Sequence, residues 1–381
     1  KLRAYENITY VFGEHRLENF RDVDLVLEPG NVPKDSPYLI EARKQNTPIF
    51  ASESLFAKYA HKVTLVGITG TRGKSTVTHL VYEILKTARK KVHIGGNVRG
   101  VSTLALLDEV QAGDIVVLEL DSWALHGMGE IRKSPHIAVF LNLYPEHLNH
   151  HQTFEAYKEA KANISKYQTG KDTLIYNAED EEIKDIVNSS KAKNIPYTQK
   201  ERHSFLAPVE PARIVGEMFD IPKETIEQTI SEFTGLDHRL EKVGEYKGIT
   251  FYNDSLATIP EATVAALDTL GKDVKTLIVG GFDRGVDYKK LASCIAKSNI
   301  QNLILLPTTG EDIWKHLSKE KHMISPSFVA TMKDAVESAY ENTPKGGICL
   351  LSPAASSFNL FRDYADRGEQ FTKAVITHGT K

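Results

Sequence analysis

A glycine-rich segment carries the side chains best suited to binding phosphate. Residues 67–76 read Gly-Ile-Thr-Gly-Thr-Arg-Gly-Lys-Ser-Thr, between an apolar run and a stretch with helical spacing. Glycines let backbone N–H groups approach phosphate oxygens, a helix N-terminus adds partial positive charge, Lys74 adds a full charge, and Ser75 can reach Mg²⁺. Ile68 stands where the usual Walker pattern has its first glycine, but the flanks favour a triphosphate site over a plain turn with a solvated lysine. The predicted contacts are Gly70, Thr71, Gly73, Lys74, Ser75 and Thr76.

Two side chains that follow predicted strands are candidate Mg²⁺ ligands. Glu119 ends the apolar run 115–120, and His147 follows the next such run, 136–143. Side chains at the carboxyl ends of parallel strands meet at one sheet edge, and Mg²⁺ needs only one or two protein carboxylates beside phosphate and water. An exposed strand-end charge and a structural histidine remain as alternatives.

Lys161 occupies an unusual place in a helical pattern. Phe154, Tyr157, Lys161 and Ile164 step by three, four and three residues, which places this lysine on an apolar stripe. A buried lysine needs a charge partner or must lose its charge. The alternative is a long side chain that extends to the surface.

The last third of the chain holds four clusters of polar residues, three of which follow predicted strands directly. They lie at 237–241, 252–258, 280–287 and 352–368. Each alone could be ordinary turn chemistry, and a lone Arg284 is usually solvated. Their concentration favours a ligand site, because such sites collect where strands meet their following loops.

Apolar runs of four to eight residues alternate with segments of helical period, which predicts an α/β fold with parallel sheets. One sheet is expected over residues 62–236 and a second over residues 237–381, after an incomplete N-terminal part at residues 1–61. Residues 189–203 are polar and predict a long surface loop. A helix is predicted over residues 37–44.

Composition excludes several classes of protein. Lys and Arg total 47 against 50 for Asp and Glu, so no basic field is available to hold a nucleic acid. Two cysteines suit a reducing cytoplasm. The chain shows no signal pattern and no apolar run long enough to span a bilayer, so we expect a cytoplasmic protein without a membrane partner.

These motifs together resemble the Mur ligase family, and most closely its D-glutamate-adding branch. The matching motifs are Gly70-Thr-Arg-Gly-Lys-Ser-Thr, Gly95-Gly-Asn97, Leu118-Glu119-Leu with Ser122, His147, Lys161, His238-Arg239 and Asn253-Asp254-Ser. Ser352-Pro-Ala-x-x-Ser357-Phe358 with Phe361 and Arg367-Gly-x-x-Phe371 is the piece most specific to that branch. The resemblance implies an N-terminal uridine-nucleotide domain, a P-loop-type central ATPase domain and a C-terminal Rossmann-like domain.

The resemblance also implies a reaction and a set of residue roles. ATP would phosphorylate the carboxylate of UDP-N-acetylmuramoyl-L-alanine, and the amine of D-glutamate would attack the acyl phosphate, in an enzyme expected to be a monomer. Lys74 would steady phosphates, Ser75, Glu119 and His147 would serve Mg²⁺, and Lys161 would be carbamylated to become a further ligand. Arg239 and Asp254 would contact ATP, Asn97 and Ser122 the uridine substrate, and Thr258, Arg284, Ser357, Phe358 and Tyr364 the D-glutamate.

The chain departs from the family pattern in several places. The Gly-rich N-terminal start is absent from the sequence as given, Leu256 and Arg284 replace usual lysines, and no His-Asn pair for adenine is found. Two alternatives therefore stay open: a folylpolyglutamate synthase-like ligase, and a catalytically silent Mur-like binding protein.

Overall fold

The computed structural model divides the chain into two compact units, Lys1–Phe233 and Thr234–Lys381. It describes residues 8–29, 32–33, 35–144, 151, 153–198, 208–321 and 323–380. The three-domain division expected from the sequence stays a prediction.

A six-stranded parallel sheet forms the centre of unit 1. Its strands run in the order β4-β5-β3-β6-β7-β8. They are β3 Thr64–Thr69, β4 Val92–Gly96, β5 Ile115–Glu119, β6 Ile137–Phe140, β7 Thr173–Asn177 and β8 Lys193–Tyr197. The inner strands read as unbroken apolar runs because helices cover both faces of the sheet.

Helices bury apolar stripes against the two faces of this sheet. Within its described residues, unit 1 has the helices α1 Pro37–Lys44, α2 Ser52–Tyr59, α3 Lys74–Thr87, α4 Ser122–Glu130, α5 Phe154–Ala162, α6 Lys184–Ser189, α7 Glu210–Met218 and α8 Lys223–Glu232. On α3, the residues Val77, Leu80, Val81, Ile84 and Leu85 are all buried, as their spacing predicts. One core lies under α3, α7 and α8, and the other lies under α2, α4 and α5.

A short parallel pair precedes the central sheet. The strands β1 Val26–Leu27 and β2 Ile49–Phe50 pair with each other, and α1 has the bounds that the sequence predicts. Leu39 and Ala42 of α1 pack with Val26 in a small core of their own.

The prediction of a surface loop over residues 189–203 is wrong in part, because Lys193–Tyr197 forms the edge strand β8. The strand pairs only with β7 and includes Pro196, which an edge position tolerates. Its apolar alternation is too weak to reveal it, since exposed lysine and asparagine begin the strand.

Unit 2 holds a second six-stranded sheet in the order β13-β12-β11-β14-β10-β9. All its neighbouring pairs are parallel except β9 with β10. The strands are β9 Glu241–Tyr246, β10 Ile249–Asn253, β11 Val274–Val279, β12 Asn302–Leu305, β13 Ser325–Phe328 and β14 Ile348–Leu351. The helices are α9 Pro260–Leu270, α10 Lys289–Lys297, α11 Thr309–Leu317, α12 Met332–Asn342 and α13 Tyr364–Gly379.

The sheets and helices together confirm the predicted α/β class with parallel sheets. No helix within the described part of the chain is long and apolar enough to cross a membrane.

Candidate functional site

The phosphate loop predicted from the sequence lies between β3 and α3. Gly73 is the residue before the helix and has a φ of 84°, a left-handed conformation that glycine adopts without strain. The helix begins at Lys74, so the N–H groups of its first turn face the loop. This is the arrangement that binds phosphate.

Two lysines converge on one carbonyl of this loop. Lys74 Nζ donates to Gly70 O at 3.0 Å and to Thr71 O at 3.0 Å, and Lys161 Nζ donates to Gly70 O at 2.9 Å. The two amino groups therefore lie within about 6 Å of each other. Two amino groups from different helices therefore contact the same carbonyl of the phosphate loop.

The predicted burial of Lys161 is confirmed, since the residue is 1% exposed on α5. Its Nζ also donates to Thr69 Oγ1 at 3.1 Å and lies 5.1 Å from the centre of the Tyr157 ring. Tyr157 in turn shares a hydrogen bond of 3.2 Å with Thr71 Oγ1. The helix is thereby joined to the phosphate loop by both side chains.

Glu119 stands at the carboxyl end of β5, level with Ile68 of the neighbouring β3. It is 2% exposed, and the next residue, Leu120, accepts a 2.7 Å hydrogen bond from Thr69 Oγ1. The hydroxyl of Thr69 thus contacts both Lys161 and the backbone beside Glu119. Glu119 and Lys161 therefore belong to one neighbourhood at the end of the sheet.

The donor set around the phosphate loop fits Mg²⁺ and not a tightly caged metal. Among the described residues, no group of three or more His, Cys, Asp or Glu side chains could hold a metal. A carboxylate from Glu119 and the hydroxyl of Ser75 would suffice for Mg²⁺, which takes its other ligands from phosphate and water. His147 lies outside the described residues.

Of the two residues predicted to contact a uridine substrate, Ser122 lies beside a cavity that the sequence does not reveal. Asn97 is exposed after β4, and Ser122 is buried at the start of α4, 2.9 Å from His151 Nε2. A cavity of about 700 Å³ lies beside α4, with Trp123 and His151 among its lining residues.

In unit 2, Asp254 follows β10 and is 6% exposed. Its carboxylate accepts hydrogen bonds from Leu240 N at 3.1 Å and from Ser352 Oγ at 2.8 Å. Burial raises the pKa of this carboxyl to about 7. Arg239 directly precedes Leu240. The hydrogen bond from Leu240 N to Asp254 therefore joins the segments that carry the two predicted ATP contacts, Arg239 and Asp254.

The residues predicted to bind D-glutamate are brought together on three loops of unit 2. Arg284 Nη1 donates to Ser356 Oγ at 3.3 Å, next to the buried Ser357, and Phe358 is 66% exposed. Tyr364 O accepts a 2.7 Å hydrogen bond from Ser255 Oγ, three residues before the half-buried Thr258. Hydrogen bonds thus join the loops that carry Arg284, Ser357 and Tyr364 to neighbouring loops of unit 2, and their role in binding D-glutamate stays a prediction.

Comparison with protein-family models gives two matches. Residues 68–234 match the Mur ligase middle domain, and residues 238–355 match the Mur ligase glutamate ligase domain. The two matches together cover most of the chain.

A UDP-N-acetylmuramoylalanine--D-glutamate ligase from Acetivibrio thermocellus is 30% identical over 407 aligned residues. The alignment covers 97% of this chain and 86% of that relative. A second ligase of the same name, from Exiguobacterium sibiricum, is 32% identical over 96% of this chain and 85% of its own length.

Among solved structures, the MurF ligase of Thermotoga maritima in complex with ADP superposes with a TM-score of 0.62 at 16% identity, covering 90% of this chain and 92% of that one. At this identity the likeness shows the fold alone.

Proposed function

The chain belongs to the Mur ligase family, and we propose that it uses ATP to join D-glutamate to UDP-N-acetylmuramoyl-L-alanine. The observation that carries the proposal is the convergence of Lys74 and Lys161 on the carbonyl of Gly70. It places two lysines of different helices at a loop built for phosphate.

The reaction proceeds in two transfers. A carboxylate oxygen of the alanyl group attacks the γ-phosphorus of ATP, the bond to the bridging oxygen breaks, and ADP leaves. The neutral amine of D-glutamate then attacks the acyl carbon, the carbon–oxygen bond breaks and phosphate leaves with that oxygen, and the nitrogen releases a proton as the amide forms. Phosphorylation turns a poor acyl donor into one with a good leaving group, so the protein mainly positions the reactants and offsets phosphate charge.

The residues of unit 1 take the roles that phosphate chemistry requires. Backbone N–H groups of residues 70–76 bind the phosphates, and Lys74 moves from the loop carbonyls to phosphate oxygens. Ser75 and Glu119 would hold Mg²⁺, together with His147 and a modified Lys161. The bound cation would neutralise part of the charge on the phosphates. Asn97 and Ser122 contact the uridine substrate.

We propose that Lys161 is carbamylated. The neutral amine adds CO₂ to give an anionic carbamate and releases a proton. The change would provide oxygen ligands of the kind that Mg²⁺ prefers.

The residues of unit 2 hold the amino acid and part of the nucleotide. Arg284 presents a planar fork that suits a carboxylate, and Thr258, Ser357, Phe358 and Tyr364 line the same loops. Arg239 and Asp254 contact ATP. The cluster 352–358 favours D-glutamate over a folate substrate, although a folylpolyglutamate synthase/dihydrofolate synthase from Yersinia pestis shares the fold, with a TM-score of 0.57 at 13% identity over 86% of this chain and 92% of that one.

An assay of phosphate release tests the proposal. With ATP, Mg²⁺ and UDP-N-acetylmuramoyl-L-alanine present, release is expected to depend on D-glutamate and to stay at background with L-glutamate. Release with a folate substrate and L-glutamate instead would favour the folate reaction, and no release with any amino acid would favour the silent binding protein.

A further inference from the structure

The largest fully buried side chain in the described residues is an arginine, Arg367, in the first turn of α13. Its Nε donates to Ser255 Oγ at 2.9 Å, its Nη2 to Ser255 O at 2.8 Å, and its Nη1 to Ala355 O at 2.9 Å. One planar guanidinium thus joins the loop after β10 to the loop after β14.

Both loops carry residues of the proposed amino-acid site. Ser255 lies three residues before Thr258, and its hydroxyl donates to Tyr364 O. Ala355 lies two residues before Ser357 and next to Ser356, whose carbonyl accepts a 2.8 Å hydrogen bond from Phe282 N. The hydrogen bond from Phe282 to Ser356 therefore fixes the loop that carries Arg284 to the loop after β14.

Burying this arginine has a cost that its hydrogen bonds only partly offset. Burial lowers the pKa of the guanidinium to about 9, and the negative charge of Asp254 opposes that change. An apolar side chain of similar volume often gives equal or greater stability at such a site. Holding the two loops in position therefore explains an arginine at residue 367 better than a contribution to the stability of the fold does.

We propose that Arg367 is a positioning residue of the amino-acid site, which holds the loop 253–258 against the loop 352–357 so that Thr258, Ser357 and Arg284 keep their places. This inference rests on the proposed function. Arg367 does not touch the amino acid, since its donors face backbone carbonyls and a serine hydroxyl. Asp254 keeps its own contacts to Leu240 and Ser352, so nucleotide contacts are expected to survive the loss of Arg367.

The test compares Arg367→Lys and Arg367→Met with the matched control Arg362→Met. Arg362 is exposed and pairs with Asp366 at 3.3 Å, five residues before Arg367 on the chain. In steady-state assays, Arg367→Met is expected to raise the KM for D-glutamate by about tenfold or more, because small displacements of substrate contacts weaken binding strongly. The KM for ATP is expected to change by less than about twofold.

Arg367→Lys is expected to give an intermediate KM, since one ammonium cannot reproduce the planar set of donors. A fall in kcat with an unchanged KM for D-glutamate in both variants would mean only fewer folded molecules and would overturn the proposal.

Hydrogen–deuterium exchange separates this inference from the proposed function. The segments 253–258 and 352–358 are expected to exchange faster in Arg367→Lys than in the wild type or in Arg362→Met. If the wild type shows no D-glutamate-dependent turnover, the proposed function fails, but the exchange measurement still tests whether Arg367 holds the two loops together. Unchanged exchange in both segments of the Arg367→Lys variant would overturn the proposed role of Arg367.

Discussion

The side chain of Lys161 on α5 places its amino group against the phosphate loop that precedes α3. The carbonyl of Gly70 accepts hydrogen bonds from Lys161 and from Lys74, and Thr69 supplies a second acceptor to Lys161. Its burial was predictable from the spacing of apolar residues on a single helix. Its partners were not, because they lie about ninety residues earlier in the chain, and only the pairing of β3 with its neighbours brings them there.

Replacing Lys161 tests its proposed role as an anion. Lys161→Ala is expected to lose most turnover, about 10²-fold or more, whereas Lys161→Glu keeps measurable activity because it restores a carboxylate near the same place. Short carboxylic acids such as acetate are expected to rescue the Ala variant in part. Turnover is measured by phosphate release.

The matched control is Lys158→Ala on the same helix. Lys158 lies off the buried stripe, 3.5 Å from Asp185 and 3.8 Å from Glu182, and such partly exposed pairs contribute little. Equal activity in the Lys161 and Lys158 alanine variants would rule out a carbamate at Lys161.

At the scale of elements, Gly96 lets β4 pair closely with β5 beside the backbone of Glu119. Gly96, the last residue of β4, has a φ of 84°, and a Cβ there would lie 2.1 Å from the carbonyl oxygen of Glu119. Sequence periodicity predicted β5 but did not predict β4, which is half-buried along most of its length and ends in two glycines. Strands that are buried on both faces can be recognised in a sequence as apolar runs, whereas edge strands such as β4 and β8 lack such a run.

Gly96→Ala is expected to destabilise unit 1 and to displace Glu119. The left-handed conformation costs about 1–2 kcal/mol with a Cβ, and the clash adds about 1–3 kcal/mol more. Urea unfolding followed by the fluorescence of Trp123 measures this loss, in a Trp314→Phe background that leaves one tryptophan in the chain.

Gly113→Ala separates the two contributions. Gly113 has a φ of 93°, but a Cβ there meets nothing within 4 Å, so only the conformational cost applies. If both alanine variants lose the same free energy of unfolding, close approach of Gly96 to Glu119 does not matter.

At the scale of the whole molecule, each of the two units is built on its own six-stranded sheet. The alternation of strands and helices and the order of the motifs were sufficient to predict the α/β class. The bonds of Arg367 and Asp254 were not predictable, since they connect segments up to about 110 residues apart that only the second sheet places side by side. The cavity beside α4 was hidden for the same reason.

The most direct test of the proposed reaction follows one oxygen atom. UDP-N-acetylmuramoyl-L-alanine carrying ¹⁸O in its free carboxylate is incubated with the protein, ATP, Mg²⁺ and D-glutamate, and the released phosphate is analysed by mass spectrometry. Transfer through an acyl phosphate predicts one ¹⁸O atom in each phosphate released, in amounts equal to the amide formed. Phosphate that carries no ¹⁸O, released at a rate that D-glutamate does not change, would contradict the account, since it would come from attack of water on ATP.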